Sequence, residues 1–263
     1  MNNTIWITWF QGWDNAPEIS QKCLESWKHY NPDWNIIQLD SENYKDYCNI
    51  DKVLPGLRTN NISLSDILRL FLLKENGGVW VDSTLFCNKP LDLWIYDIND
   101  SFLFTREDKM IATWFIATKS NSHIIDVWYN NMVNYWKYRI SETDPFEQQY
   151  GWIHSLFRHS YSQDEKFRTI FDSWNKIDCL SDGSQRGRGP HFFAPYVKYF
   201  YNPISNEIKN RIDSKVDPVY KLSYKVNTDW RSSDARGIHP TNQKLKMNYP
   251  CNSELNYLLE TIK

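Results

Sequence analysis

The chain opens on Thr4-Ile5-Trp6-Ile7-Thr8-Trp9-Phe10, a β-branched and aromatic run without helical spacing, and then breaks at Gln11-Gly12-Trp13-Asp14-Asn15. A short apolar run stopped by turn formers predicts a buried strand. Pro17 opens a helix to about His29, in which Ile19, Cys23, Leu24 and Trp27 recur at helical spacing. Asn31-Pro32-Asp33 ends it, and Trp34 to Leu39 reads as a second strand. A short helix near Glu42 to Tyr47 and a polar loop to Asn61 follow.

The clearest helix is Ser63 to Glu75, stopped by Asn76-Gly77-Gly78. Val79-Trp80-Val81 is then a short strand running into Asp82, and Phe102 to Phe104 and Ala112 to Ala117 read as two more. Helices are expected over 122–138, 145–157, 164–174 and 253–262. Strands alternating with helices predict an α/β fold, a sheet with helices on both faces. No repeat or linker divides the chain, so one domain over 1–263 is expected, with a helical subregion over about 121–175.

Composition narrows the function. Thirty basic against 32 acidic residues give no cationic excess, which argues against a nucleic-acid partner. Five scattered cysteines without a CxxC pair argue against a structural zinc site and for reduced thiols. The start lacks the basic and apolar regions of a signal peptide, and no apolar run reaches the roughly 20 residues of a bilayer span. A cytoplasmic protein, peripheral to the membrane at most, is expected. The 13 Trp and 16 Tyr are numerous, and Trp13, Trp27, Trp34, Trp136, Trp152 and Trp230 stand in polar sequence. They build either an aromatic core or stacking platforms for sugars, whose axial C–H faces are apolar.

Candidate chemistry starts on the helix Ile62 to Leu73, which is apolar almost all round except at Asp66 and Arg69. Their i,i+3 spacing puts both charges on one face, where they form a structural pair or line a polar cleft. In a cleft, Asp66 would accept from hydroxyls and Arg69 would neutralise phosphate. The strand after Gly77-Gly78 delivers Asp82 at its carboxyl end, the edge at which open α/β sheets bind ligands.

Ser65-Asp66-Ile67-Leu68-Arg69 followed by Gly77-Gly78-Val79-Trp80-Val81-Asp82 resembles the core of sugar transferases with a DxD motif. That group includes glycosyltransferase family 32, the capsular polysaccharide synthesis proteins and the large glucosylating toxins. Ile5 to Gly12, Trp114 to Ala117, Trp152 to Phe157 and Tyr220 to Lys225 resemble the capsular branch. The resemblance implies a GT-A, Rossmann-like glycosyltransferase fold with additional helices, and transfer with retention of configuration. It implies a nucleotide-diphosphate sugar donor, UDP-linked as is commonest in the group, and an oligosaccharide or lipid-linked acceptor. It assigns Trp9 to the nucleotide base, Phe10, Ser65, Asp66, Arg69, Asp82, Ser83, Thr84 and Lys221 to the donor, and Asp82, Asp66 and Arg69 to catalysis. Trp114, Trp152 and His154 fall on the acceptor side.

The chain departs from the pattern at Thr84, where the group has its second Asp. A divalent cation, Mn²⁺ or Mg²⁺, on Asp82 and His191 is one way to neutralise the departing diphosphate. Cations such as Arg186, Arg188, Lys221 or Lys225 are the other. The glycine-rich stretch Ser181 to Pro190 reads as a lid that excludes water. A sugar-nucleotide hydrolase or nucleotidyltransferase and a non-catalytic carbohydrate-binding protein are the rival readings.

Overall fold

A helix that is apolar on nearly every side is stable only when neighbours cover it, and the fold is organised around one such helix. The computed structural model describes residues 2–95, 98–106, 109–141, 151–179, 189–193, 201–224 and 250–263. Residues 181–188 of the expected lid, with Arg186 and Arg188, lie outside the described residues, as do Lys225, Trp230 and residues 145–150 of one expected helix. The chain divides into two compact units. The first comprises Met1–Phe10, Asp33–Asp82 and Ile95–Asp178, and the second Gln11–Pro32, Ser83–Trp94 and Cys179–Lys263.

In the first unit, β1 (Thr4–Thr8) pairs in parallel with β2 (Asn35–Leu39) and with β3 (Gly78–Val81). β6 (Met110–Thr118) runs antiparallel to β3, and β5 (Ser101–Arg106) antiparallel to β6. The strand order β2-β1-β3-β6-β5 therefore has four strands in one direction and β6 in the other. This mixed α/β architecture is the fold class expected from the alternation of strands and helices.

The buried helix is α3 (Asn61–Asn76), whose Asn60 side chain caps it by accepting from Ser63 N at 2.9 Å. It packs against α4 (His123–Ser141), which also meets α5 (Trp152–Gln163) and α6 (Glu165–Asp172). Their shared core is aromatic, and two of its indoles donate hydrogen bonds within it. Trp128 Nε1 donates to Ile153 O at 3.1 Å, and Trp152 Nε1 donates to Ser63 Oγ at 3.3 Å. Of the tryptophans in polar sequence, Trp34, Trp136 and Trp152 are buried in this unit and Trp27 in the other. For these four the core reading holds.

The end of α3 depends on its glycines. Gly77 has φ 68° and Gly78 φ 93°, and the Gly77 N–H closes the helix on Leu73 O at 3.0 Å. A Cβ on Gly78 would stand 2.5 Å from Thr4 O in the neighbouring strand. Left-handed backbone strain plus a clash with a strand carbonyl that cannot move freely makes Gly78→Ala destabilising by about 2–4 kcal/mol. Urea denaturation checks this, and an unchanged midpoint would show that β1 and β3 tolerate a wider separation.

In the second unit, α1 (Glu18–Tyr30) packs on β4 (Leu85–Cys87), where Trp27 Nε1 donates to Leu85 O at 2.7 Å. β4 pairs antiparallel with β7 (Val219–Lys221). Phe86, Phe192, Phe193 and Tyr220 form a core with Ile208 and Ile212 of α7 (Asn206–Asp213) and Leu255 and Leu258 of α8 (Glu254–Glu260). A short α2 (Ile50–Val53) lies in the first unit, within the loop expected before Asn61. Among the described residues, no helix is long and apolar enough to cross a membrane.

Candidate active site

The two charges of α3 stand beside the end of β3. Arg69 Nη2 lies 2.9 Å from Asp66 Oδ1 and 3.5 Å from Asp82 Oδ1. Arg69 Nη1 donates to the carbonyl of Thr113, while Nε and Nη2 reach Ser65 O at 3.4 Å and Ser65 Oγ at 3.5 Å. The guanidinium also lies over the Trp80 ring, 5.1 Å from its centre. From below, Trp80 Nε1 donates to Asp82 Oδ1 at 3.2 Å, and the Asp82 N–H donates to Trp114 O at 2.9 Å.

The result is a graded cluster. The Arg69 side chain is 5% exposed, Asp66 14% and Asp82 28%. Among the described residues Arg69 directs its contacts at protein groups, and two carboxylates are held against it. Asp66 and Asp82 are what a ligand can reach, and carboxylates in this setting accept from hydroxyls. Trp9 ends the neighbouring strand at the same edge, because Ile7 of β1 is in register with Val81 of β3. Trp9 and Asp82 thus follow the carboxyl ends of adjacent parallel strands, the usual ligand edge of such a sheet.

Burial, and then the proximity of Asp82, push the Asp66 carboxyl up to about 6 against the pull of Arg69. Between the ordinary carboxylate range and pH 6 the folded state therefore holds more protons than the unfolded chain. Stability contributed through this group falls as pH rises through that window, by on the order of 2–3 kcal/mol. Asp66→Asn should flatten the corresponding part of the profile. Urea midpoints of the two proteins at pH 4.5 and 7.5 test this, and parallel profiles would contradict it.

The other expected residues are placed as follows. Phe10 is buried in the core of the first unit, and its carbonyl accepts from Ser41 N at 3.2 Å. Trp114 is buried and stacked on Phe104, and Trp152 is stacked on Tyr135 and set edge-on to Trp136. Both rings are core elements, so an acceptor would meet them indirectly. His154 is half-buried, with Nδ1 screened from solvent and without a hydrogen-bond partner among the described residues. Burial, then Lys109, Arg69, Arg106 and Arg158, push its pKa down to about 3, so the imidazole is neutral near pH 7.

Ser83 and Thr84 belong to the second unit, as do Lys221 and the buried His191. Lys221 Nζ donates to Thr84 Oγ1 at 2.7 Å. The hydroxyl that stands in the second motif position is thus engaged by an ammonium. Among the described residues, no group of three or more His, Cys, Asp or Glu side chains could hold a metal ion. Trp80 was legible only as a strand residue. The period of two that places Trp80 and Asp82 on one side of β3 is the signal that marks its indole as a partner of Asp82.

No curated protein sequence matches the chain. Among solved structures it is similar to the PaToxG glycosyltransferase, with 16% sequence identity, a TM-score of 0.41, and coverage of 66% of this chain and 73% of that one. The family model of capsular polysaccharide synthesis proteins matches residues 1–237. The chain is therefore a member of the capsular polysaccharide synthesis protein family.

Proposed function

We propose that the protein is a glycosyltransferase of GT-A type that moves a sugar from a nucleoside diphosphate donor, UDP-linked, to a saccharide acceptor in surface polysaccharide synthesis. The acceptor is lipid-linked and met at the cytoplasmic face of the membrane. What carries this reading is the pair of reachable carboxylates, Asp66 and Asp82, held by a buried Arg69 at the ligand edge of the sheet in a capsule-synthesis chain. Asp82 and Asp66 accept from hydroxyls of the ribose and donor sugar, and Trp9 lies under the base. The bond from the anomeric carbon to the phosphate oxygen breaks with its electron pair going to the diphosphate, through an oxocarbenium-like state. The acceptor oxygen then bonds to the same face of that carbon while its proton passes to the leaving phosphate oxygen. This route retains configuration and needs no enzymic nucleophile.

Thermal melting against a panel of sugar nucleotides tests the reading. One donor should raise the melting temperature by mass action, and adding a saccharide acceptor should release nucleotide faster than donor alone. A protein that no sugar nucleotide stabilises would not be this enzyme, and nucleotide release indifferent to acceptor would favour the hydrolase.

The Lys221–Thr84 contact supports neutralisation of the diphosphate by a side-chain cation rather than by Mn²⁺ or Mg²⁺. Transfer should survive EDTA, and Lys221→Met should lower kcat by roughly 10–100-fold. Loss of activity in EDTA with recovery in Mn²⁺ would instead restore the metal.

A further inference from the structure

The second unit contains a cavity of about 490 Å³ between the end of α1, the end of α7 and α8, within the roughly 300–1,000 Å³ of small-molecule sites. None of its residues belongs to the Asp66–Arg69–Asp82 cluster. His29, Tyr30, Asn88, Asp213, Lys215 and Tyr257 supply most of its wall. We propose that this cavity is a second carbohydrate site, which holds a segment of the oligosaccharide on which the transferase works. The identity of that ligand rests on the glycosyltransferase reading above.

Sugars are recognised by apolar C–H faces lying on aromatic rings and by hydroxyls bonded to fixed polar groups at the ring edge. Two tyrosine rings and a buried amide are held in place here. Tyr30 is held edge-on by His29, with ring centres 4.8 Å apart, and Lys215 Nζ lies 4.4 Å from the centre of its ring. The Tyr257 hydroxyl donates to Asp213 Oδ1 at 2.7 Å, and Lys209 Nζ lies 4.8 Å from the centre of that ring. Rings fixed in this way lose little freedom on binding, which favours affinity for a weakly interacting ligand.

The polar partner is Asn88, which is 1% exposed and yet lines the cavity. Its Nδ2 is committed to Ile212 O at 3.3 Å and Asp217 O at 3.1 Å, so the acceptor it can offer is Oδ1. A buried amide with its donors used and an acceptor in hand suits a ligand hydroxyl. Asp213 is paired with Lys209 at 2.5 Å and Lys215 rests on the Tyr30 ring, so the charges of the wall are engaged within the protein, and the ring and amide contacts suit an oligosaccharide.

The test is a microarray of defined capsular oligosaccharides probed with the full chain and three variants. Wild type should bind at least one oligosaccharide, and Tyr30→Ala should lower its affinity at least tenfold. Lys215 sits at φ 50°, a conformation glycine adopts without strain, so Lys215→Gly should fold at least as well while removing the ammonium. It too should weaken binding, and Asp82→Asn should not. No binding by wild type, or binding unchanged in both Tyr30→Ala and Lys215→Gly, would overturn the site. Failure of the transferase reading shows separately, as a wild-type protein that no sugar nucleotide stabilises.

Discussion

Asp82→Asn should lower kcat/KM for sugar transfer by about 10²–10³-fold while leaving the melting temperature close to that of the wild type. The amide keeps a carbonyl oxygen, which can still accept from Trp80 Nε1 and Arg69 Nη2, so the local packing has no reason to change. What disappears is the negative charge of the most exposed carboxylate in the cluster. A carboxylate accepts from two hydroxyls at once and stabilises the positive charge that develops on the sugar, whereas the amide oxygen does both more weakly. The same substitution removes a charge that pushes the Asp66 carboxyl up, so Asp66 should titrate at lower pH in the variant. Transfer rates from nucleotide release with acceptor present, paired with melting curves, decide the matter. Turnover near wild type would remove Asp82 from the site.

That Asp82 could be singled out at all follows from how local the signals are. The helix Asn61–Asn76 carries its charges, its cap and its glycine stop within one short stretch, and the strand that presents Asp82 follows directly. Hydrophobic pattern sufficed there because burial on nearly all sides leaves Asp66 and Arg69 as the exceptions. It failed for β4 and β7, three residues each, whose existence depends on pairing between Leu85 and Lys221 far apart in the chain. It failed for α7 as well, where Asn206–Asp213 has only Ile208 and Ile212 to mark its buried face. The Lys221–Thr84 contact depends on that same long-range pairing, so sequence could name Lys221 as a cation but not its partner. The tryptophans show the opposite limit. Trp27, Trp136 and Trp152 stand among polar neighbours in sequence, and only three-dimensional packing shows that all three are core. Arg69 was legible as a site residue, but its role was not. Among the described residues it reaches a Thr113 backbone carbonyl 44 residues away and the carboxylates of Asp66 and Asp82, a role of holding them together that no local pattern names.

That role gives Arg69 the largest expected effect on stability. Arg69→Leu should destabilise the protein by roughly 3–5 kcal/mol at pH 7.5, because two carboxylates and a carbonyl lose the guanidinium that pairs with them in a poorly solvated place. The loss should shrink at pH 5, since Asp66 without Arg69 takes up a proton more readily and the repulsion between Asp66 and Asp82 is relieved. Arg69→Lys separates charge from geometry. Its ammonium restores the compensating charge, but a single donor centre cannot reach Thr113 O, Ser65 and both carboxylates together, so about half of the loss should return. If Arg69 served chiefly as a phosphate ligand, the order would invert. The leucine variant would be as stable as the wild type, because a buried cation had been removed, and its defect would lie in donor affinity alone. Urea denaturation of the two variants at both pH values, with donor binding followed by thermal shift, separates these outcomes. A leucine variant as stable as the wild type and defective only in donor affinity would return Arg69 to the diphosphate.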